Sequence, residues 1–165
     1  MSILKFEHRT PKTLVEMYQY MIDESKTCSE AVFGIGTNPF YAVEEMELVH
    51  RIYHMTERLS HAYIQVIFAF DAGIQLEFSL LKEICRKIGF VLILGERQAV
   101  GAIHYKGKDK EHIHCHYLIN YVDIYGKIYR QKFSVYYYMK CVNEILHHYG
   151  LTPVACNDFR QSLAS

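Results

Sequence analysis

His112-Ile113-His114-Cys115-His116-Tyr117-Leu118-Ile119-Asn120 sets three histidines at alternate positions and follows them with an apolar run. In an extended strand, neighbouring side chains leave opposite faces. His112, His114 and His116 are therefore expected to project together, while Ile113, Cys115 and Tyr117 enter a core. Three imidazoles on one face can share a divalent metal ion or pass protons around a phosphate. Upstream, His104 and Asp109 add a further imidazole and a carboxylate within loop reach. The competing reading is a polar strand face in a chain that carries 10 histidines.

Working outward, two strand-like runs precede this stretch, 90–94 and 99–104, on either side of Gly95-Glu96-Arg97. They read either as a hairpin or as one long, bulged strand. A buried strand is expected over 62–70 and a short first strand over 3–6. Helical spacing of apolar residues predicts helices over 12–24, 43–53, 76–88 and 133–149. Thr10-Pro11 is read as the start of the first of these helices. In that helix Leu14, Met17, Tyr18 and Met21 form the apolar stripe, and Tyr20 lies off it. In the second, Val43, Met46, Val49 or His50, and Tyr53 are expected to face inward. Gly34 to Pro39 reads as a loop, Asp123-Ile124-Tyr125-Gly126-Lys127 as a hairpin turn, and Gly150 as the stop of the last helix. The fold class is α+β: one mainly antiparallel central sheet with helices packed on it.

At 165 residues, with 50% hydrophobic and 22% charged residues, the chain is most simply one domain, 1–165, with enough length to bury a core. Its apolar runs, such as Tyr63 to Phe70, are far shorter than the roughly 20 residues that span a bilayer. Lys5, Glu7, His8 and Arg9 interrupt any signal-peptide pattern. Five scattered cysteines suggest reduced thiols in a cytoplasm and no disulfide framework. A net charge of zero supplies no global attraction to nucleic acid, so contacts to DNA must come from local patches such as Lys106-Gly107-Lys108-Asp109-Lys110.

The run His104, Asp109, then His112 to Asn120 resembles the histidine motif of mobilisation relaxases, the HUH-type, metal-dependent DNA strand transferases of plasmids and integrative elements. His114, His116 and Asn120 match the end of that motif without a gap. Leu14 to Thr27 is similar to the family's N-terminal tyrosine motif, with Tyr20 in the nucleophile's place. Gly126-Lys127 and Tyr149-Gly150-Leu151 resemble later segments. The order, tyrosine first and histidines after, is that of relaxases and the circularly permuted reverse of replication initiators. Two departures stand out. Lys106-Gly107-Lys108 reads as a small insertion, which leaves either His104 or His112 to join His114 and His116. Ala69-Phe70 stands where the family often has Ser-Phe.

The resemblance implies metal-dependent nicking and strand transfer of single-stranded origin-of-transfer DNA through a 5′-phosphotyrosine on Tyr20, initiating conjugative mobilisation. The expected metal is magnesium or manganese, and accessory relaxosome proteins are the expected partners. Attack by a phenol, whose unperturbed pKa is about 10, needs activation, and a divalent ion can neutralise charge on the phosphate oxygens. Asp109 is expected to orient one ligand histidine. DNA contacts are expected at Lys26, Thr27, Asn120, Arg97, Lys106 and Lys108. Two other readings remain open. One is a histidine-triad nucleotide hydrolase in which His114 attacks a phosphate without a metal. The other is a non-catalytic, relaxase-derived DNA-binding fragment.

Overall fold

The computed structural model describes residues 2–7 and 11–155. Its five-stranded sheet is built from β1 (Ile3–Glu7), β2 (Val32–Ile35), β3 (Tyr63–Ala69), β4 (Ala99–His104) and β5 (His114–Asn120). The strand order is β1-β3-β5-β4-β2, and every neighbouring pair is antiparallel. The histidine strand thus holds the centre. It pairs with β3 through Ile67 opposite His116, and with β4 through Ala102 opposite the same residue. A strand with a neighbour on each edge and helices on each face must be apolar almost throughout. Every residue of β5 but His114 is buried.

Four helices cover the sheet: α1 (Leu14–Met21), α2 (Ala42–Ile52), α3 (Phe78–Ile93) and α4 (Val135–His148). Cys115, Tyr117 and Ile119 of β5 join Ile64, Val66 and Phe68 of β3 in a core with Ile84, Ile88 and Leu92 of α3 and Tyr138, Val142 and Leu146 of α4. On the other face Leu118, Val100 and Ala102 meet Leu14, Met17 and Met21 of α1 and Val43 and Met46 of α2. Gly101 of β4 is required by this packing, because a Cβ there would lie 2.2 Å from the Phe33 ring of the neighbouring β2. No helix among the described residues is long and apolar enough to cross a membrane.

Several sequence expectations shift. The run 90–94 is neither a hairpin strand nor part of a bulged one. Phe90 to Ile93 is the last turn of α3, and the chain leaves that helix through Leu94 and Gly95 at φ 52° and 74°. The reason lies in the helical stripe of Leu81, Ile84, Cys85, Ile88, Leu92 and Ile93, which continues unbroken through the apolar run. The first helix starts at Leu14. Its cap is Thr13, whose hydroxyl accepts from the Glu16 N–H at 3.2 Å, with Pro11 lying ahead of the helix. Thr10 falls outside the described residues. Gly34 and Ile35, read as the start of a loop, belong to β2, an edge strand not foreseen from the sequence and paired with β4. In α2 it is His50, and not Val49, that turns inward. Gly150 ends α4 at φ 69°, with the Leu151 N–H returning to the Leu146 carbonyl at 2.8 Å.

Candidate active site

β4 ends and β5 begins at the same place. His104 faces His114 across the ladder, and His116 lies two residues further along the same face. The three rings crowd together, with centroids 4.4 Å apart for His104–His116, 4.9 Å for His114–His116 and 5.1 Å for His104–His114. One nitrogen from each ring can be chosen so that all three lie within 4.8 Å of one another. His112 is not among them. It sits exposed in the turn before β5, where its N–H caps a short 3-10 turn by bonding the Asp109 carbonyl at 3.0 Å. The strand begins only at His114, so the alternation of His112 with its neighbours never becomes a shared face.

Each ring spends one nitrogen on the protein and turns the other toward its companions. His104 Nε2 lies 2.8 Å from the Met21 carbonyl at the end of α1. His114 Nδ1 lies 2.9 Å from the His112 carbonyl. His116 Nδ1 lies 2.7 Å from the Gln65 carboxamide. The remaining nitrogens of the two buried rings, His104 Nδ1 and His116 Nε2, have no partner. Buried polar atoms are almost always satisfied, so two orphans aimed into one cluster fit a metal ion bound between them. Backbone or side-chain groups on the far ring nitrogens are the usual supports of metal-ligating histidine. Burial holds the His116 pKa down to about 2, with the neighbouring His104, His114 and Lys26 adding to the effect. Burial likewise lowers that of His104, against the opposing bond to Met21. Both rings are therefore neutral, the form that ligates metal.

Tyr20 occupies the last turn of α1 beside this cluster. Its ring is edge-on to His116 at 5.6 Å and to His104 at 5.9 Å between centroids. Lys26 Nζ stands 3.5 Å from the centre of the Tyr20 ring, and Lys12 Nζ 5.4 Å from it. The loop carrying Lys26 is pinned to the end of β4, since the Tyr105 and Lys106 N–H groups both bond the Lys26 carbonyl. A cavity of about 320 Å³ opens against Tyr20 and His116, floored by Met17, Gln65 and Ile67 and edged by Glu7 and Lys12. By contrast Tyr18 points into the α1–α2 side, where its hydroxyl donates to the Pro39 carbonyl at 2.8 Å.

The other residues singled out in the sequence scatter. Lys106 and Lys108 lie on the turn that follows His104, near the cluster, with Lys108 exposed. Asp109 belongs to the same turn, where its carboxylate bonds none of the three rings, although its charge favours protonation of His104. Thr27 and Asn120 are fully buried. Arg97 sits at the opposite end of β5, roughly 20 Å away at strand spacing. Its guanidinium bonds the Asn120 and Tyr121 carbonyls, and it lines a separate cleft of about 470 Å³ with Tyr125, Lys127, Arg130 and Lys132. Sequence pattern does not mark Gln65 as part of the site. Its one signal is a lone amide in a strand otherwise apolar on both faces.

A protein-family model described as "Relaxase: MobA/VirD2-like, nuclease domain" matches residues 20–151, a span that begins at Tyr20 and contains all three clustered histidines. A search of curated proteins returned no match.

Proposed function

The chain belongs to the MobA/VirD2-like relaxase nuclease family, whose domain nicks DNA for mobilisation, and we propose that it cuts and transfers a single strand of origin DNA through Tyr20. The observation that carries this reading is the placement of the Tyr20 phenol beside the His104–His114–His116 cluster with Lys26 over its face. In the proposed reaction the Tyr20 oxygen attacks phosphorus, and the bond from phosphorus to the 3′ oxygen breaks. The phenolic proton passes to water and the departing oxygen takes one up. The products are a 5′-phosphotyrosine and a free 3′-hydroxyl, and reversing the same exchange joins a new end. Binding in the cavity beside Met17 and Ile67 orients the nucleotide at the cut, while Lys26 and Lys12 attract the phosphate.

His104, His114 and His116 would hold a divalent ion, magnesium or manganese, through the nitrogens that face one another. When bound, that ion supplies positive charge at the non-bridging phosphate oxygens. A nucleotide hydrolase built on His112, His114 and His116 is less well supported, because His112 stands in the turn and His104 takes its place in the cluster.

The test is incubation with single-stranded origin DNA and Mn²⁺, followed by denaturing electrophoresis and peptide mapping. The parent is expected to form a covalent adduct on Tyr20, and Tyr20→Phe to form none while still binding metal and DNA. An adduct mapped to Tyr18, or to His114, would overturn the assignment.

A further inference from the structure

The three ring nitrogens that face away from the cluster do not have equivalent partners. His104 and His114 are held by backbone carbonyls, Met21 and His112, which can only accept. In its neutral form a ring so held must carry its proton on the outer nitrogen, which leaves the inner nitrogen as a lone pair. His116 differs. Its outer nitrogen, Nδ1, faces a carboxamide, the one type of partner that can donate from its nitrogen or accept at its oxygen. Gln65 is 4% exposed and sits on the same sheet face, two residues along β3 from Ile67, which lies opposite His116.

As the side chains stand, Gln65 Nε2 is the atom 2.7 Å from His116 Nδ1. An amide nitrogen donates, so Nδ1 accepts and the imidazole proton lies on Nε2. That nitrogen is buried inside the cluster with no acceptor. Turning the carboxamide by half a revolution would put its oxygen against Nδ1–H and free the Nε2 lone pair.

Building on the metal reading above, we propose that Gln65 is a positioning residue that controls metal entry by choosing the His116 tautomer. With its amide nitrogen toward the ring, the cluster presents two lone pairs and one N–H. With its oxygen toward the ring, it presents three lone pairs and takes the ion. The rotation needs no backbone movement and keeps one hydrogen bond at Nδ1, while the Nε2 proton leaves to water in the adjoining cavity and water returns a proton to Nδ1, so the ring is neutral before and after the exchange. A carboxylate at position 65, which accepts only, removes the choice and holds the metal-ready tautomer permanently. An apolar side chain there removes the support altogether.

The experiment uses the full chain as parent, Gln65→Glu and Gln65→Met. Nitrogen-15 spectra of the histidine rings are recorded without metal and with diamagnetic Zn²⁺, and Mn²⁺ affinity is measured by calorimetry. The metal-free parent is expected to show His116 protonated on Nε2, and Zn²⁺ to move the proton to Nδ1. Gln65→Glu is expected to show the Nδ1 tautomer before any metal is added and to bind Mn²⁺ at least tenfold more tightly. Gln65→Met should bind roughly ten- to a hundredfold more weakly, the loss typical of a missing outer support. His116 already protonated on Nδ1 in the metal-free parent would overturn the proposal, as would affinities equal within twofold across the three proteins. Failure of the parent itself to bind Mn²⁺ or Zn²⁺ is a different result: it removes the metal reading and this inference together.

Discussion

β5 carries a buried polar cluster at each end of one face, and the two are opposites in completeness. At the Asn120 end, His50 Nε2 lies 2.7 Å from Asn120 Oδ1, which also accepts from the Val122 N–H at 3.0 Å, while Asn120 Nδ2 donates to Gln98. At the His116 end one nitrogen of each ring is bonded, but the buried His104 Nδ1 and His116 Nε2 have no hydrogen-bond partner. Burial is matched for four of these residues, Asn120 and His104 at 0% exposed and His50 and His116 at 4%, with His114 half-buried at the open end. Buried polarity therefore does not by itself mark a reactive site. A closed network of this kind fastens α2 to the sheet, whereas an open one keeps valence for something the protein must acquire.

The widest separation between the two ends comes from removing each in turn. His114→Ala together with His116→Ala is expected to abolish Mn²⁺ binding, by at least a thousandfold in calorimetric titration, because a lone imidazole holds such an ion poorly. Undiminished binding by that double variant would erase the contrast. Asn120→Leu should do the reverse. It leaves the buried His50 ring without its partner and should cost about 2–4 kcal/mol of stability in urea unfolding. Mn²⁺ affinity per folded molecule should stay within about twofold of the parent, so a matching loss there would show the two ends to be one coupled unit.

Acid sharpens the comparison further. His116 is held at a pKa of about 2 in the fold, by burial first and then by its cationic and imidazole neighbours, against about 6.5 unfolded. Below about pH 6.5 the unfolded chain gains a proton that the folded ring refuses, so this contribution to stability is intact at pH 7 and declines as pH falls. Between pH 7 and 5.5 the metal-free protein should lose about 1 kcal/mol through His116 alone. Urea midpoints of the parent and of His116→Gln at the two pH values check this, and equal pH slopes would contradict it. The smallest effect belongs to Tyr18→Phe. It removes a hydrogen bond to the Pro39 carbonyl and should cost about 0.5–1 kcal/mol while leaving DNA adduct formation in place.

Much of the site is legible in the amino-acid sequence because its parts are local. Alternation predicts that His114 and His116 share a face, and a helical stripe through Leu14, Met17, Tyr18 and Met21 leaves Tyr20 outside it. Both patterns are readable within a few residues. Local pattern misleads where it is ambiguous. Phe90 to Ile93 is apolar throughout and suits a buried strand or a helix equally, and only the continuing contacts of α3 decide for the helix. Gly34 signals a turn in isolation, yet it lies within β2 because β4 has a free edge beside it.

The sequence by itself determined the order of tyrosine and histidine motifs, the α+β class and the resemblance that the family match supports. Those features rest on short-range periodicity and residue type. Tertiary structure decided which histidine completes the cluster and what holds each ring. His104 stands opposite His114 because β4 and β5 pair in that register, and the ladder stops before His112 can join. Gln65 reaches His116 through the pairing of β3 with β5, and Met21 reaches His104 by the docking of α1. These contacts join residues 51 and 83 positions apart, and register over such separations is set by which apolar faces can be buried together.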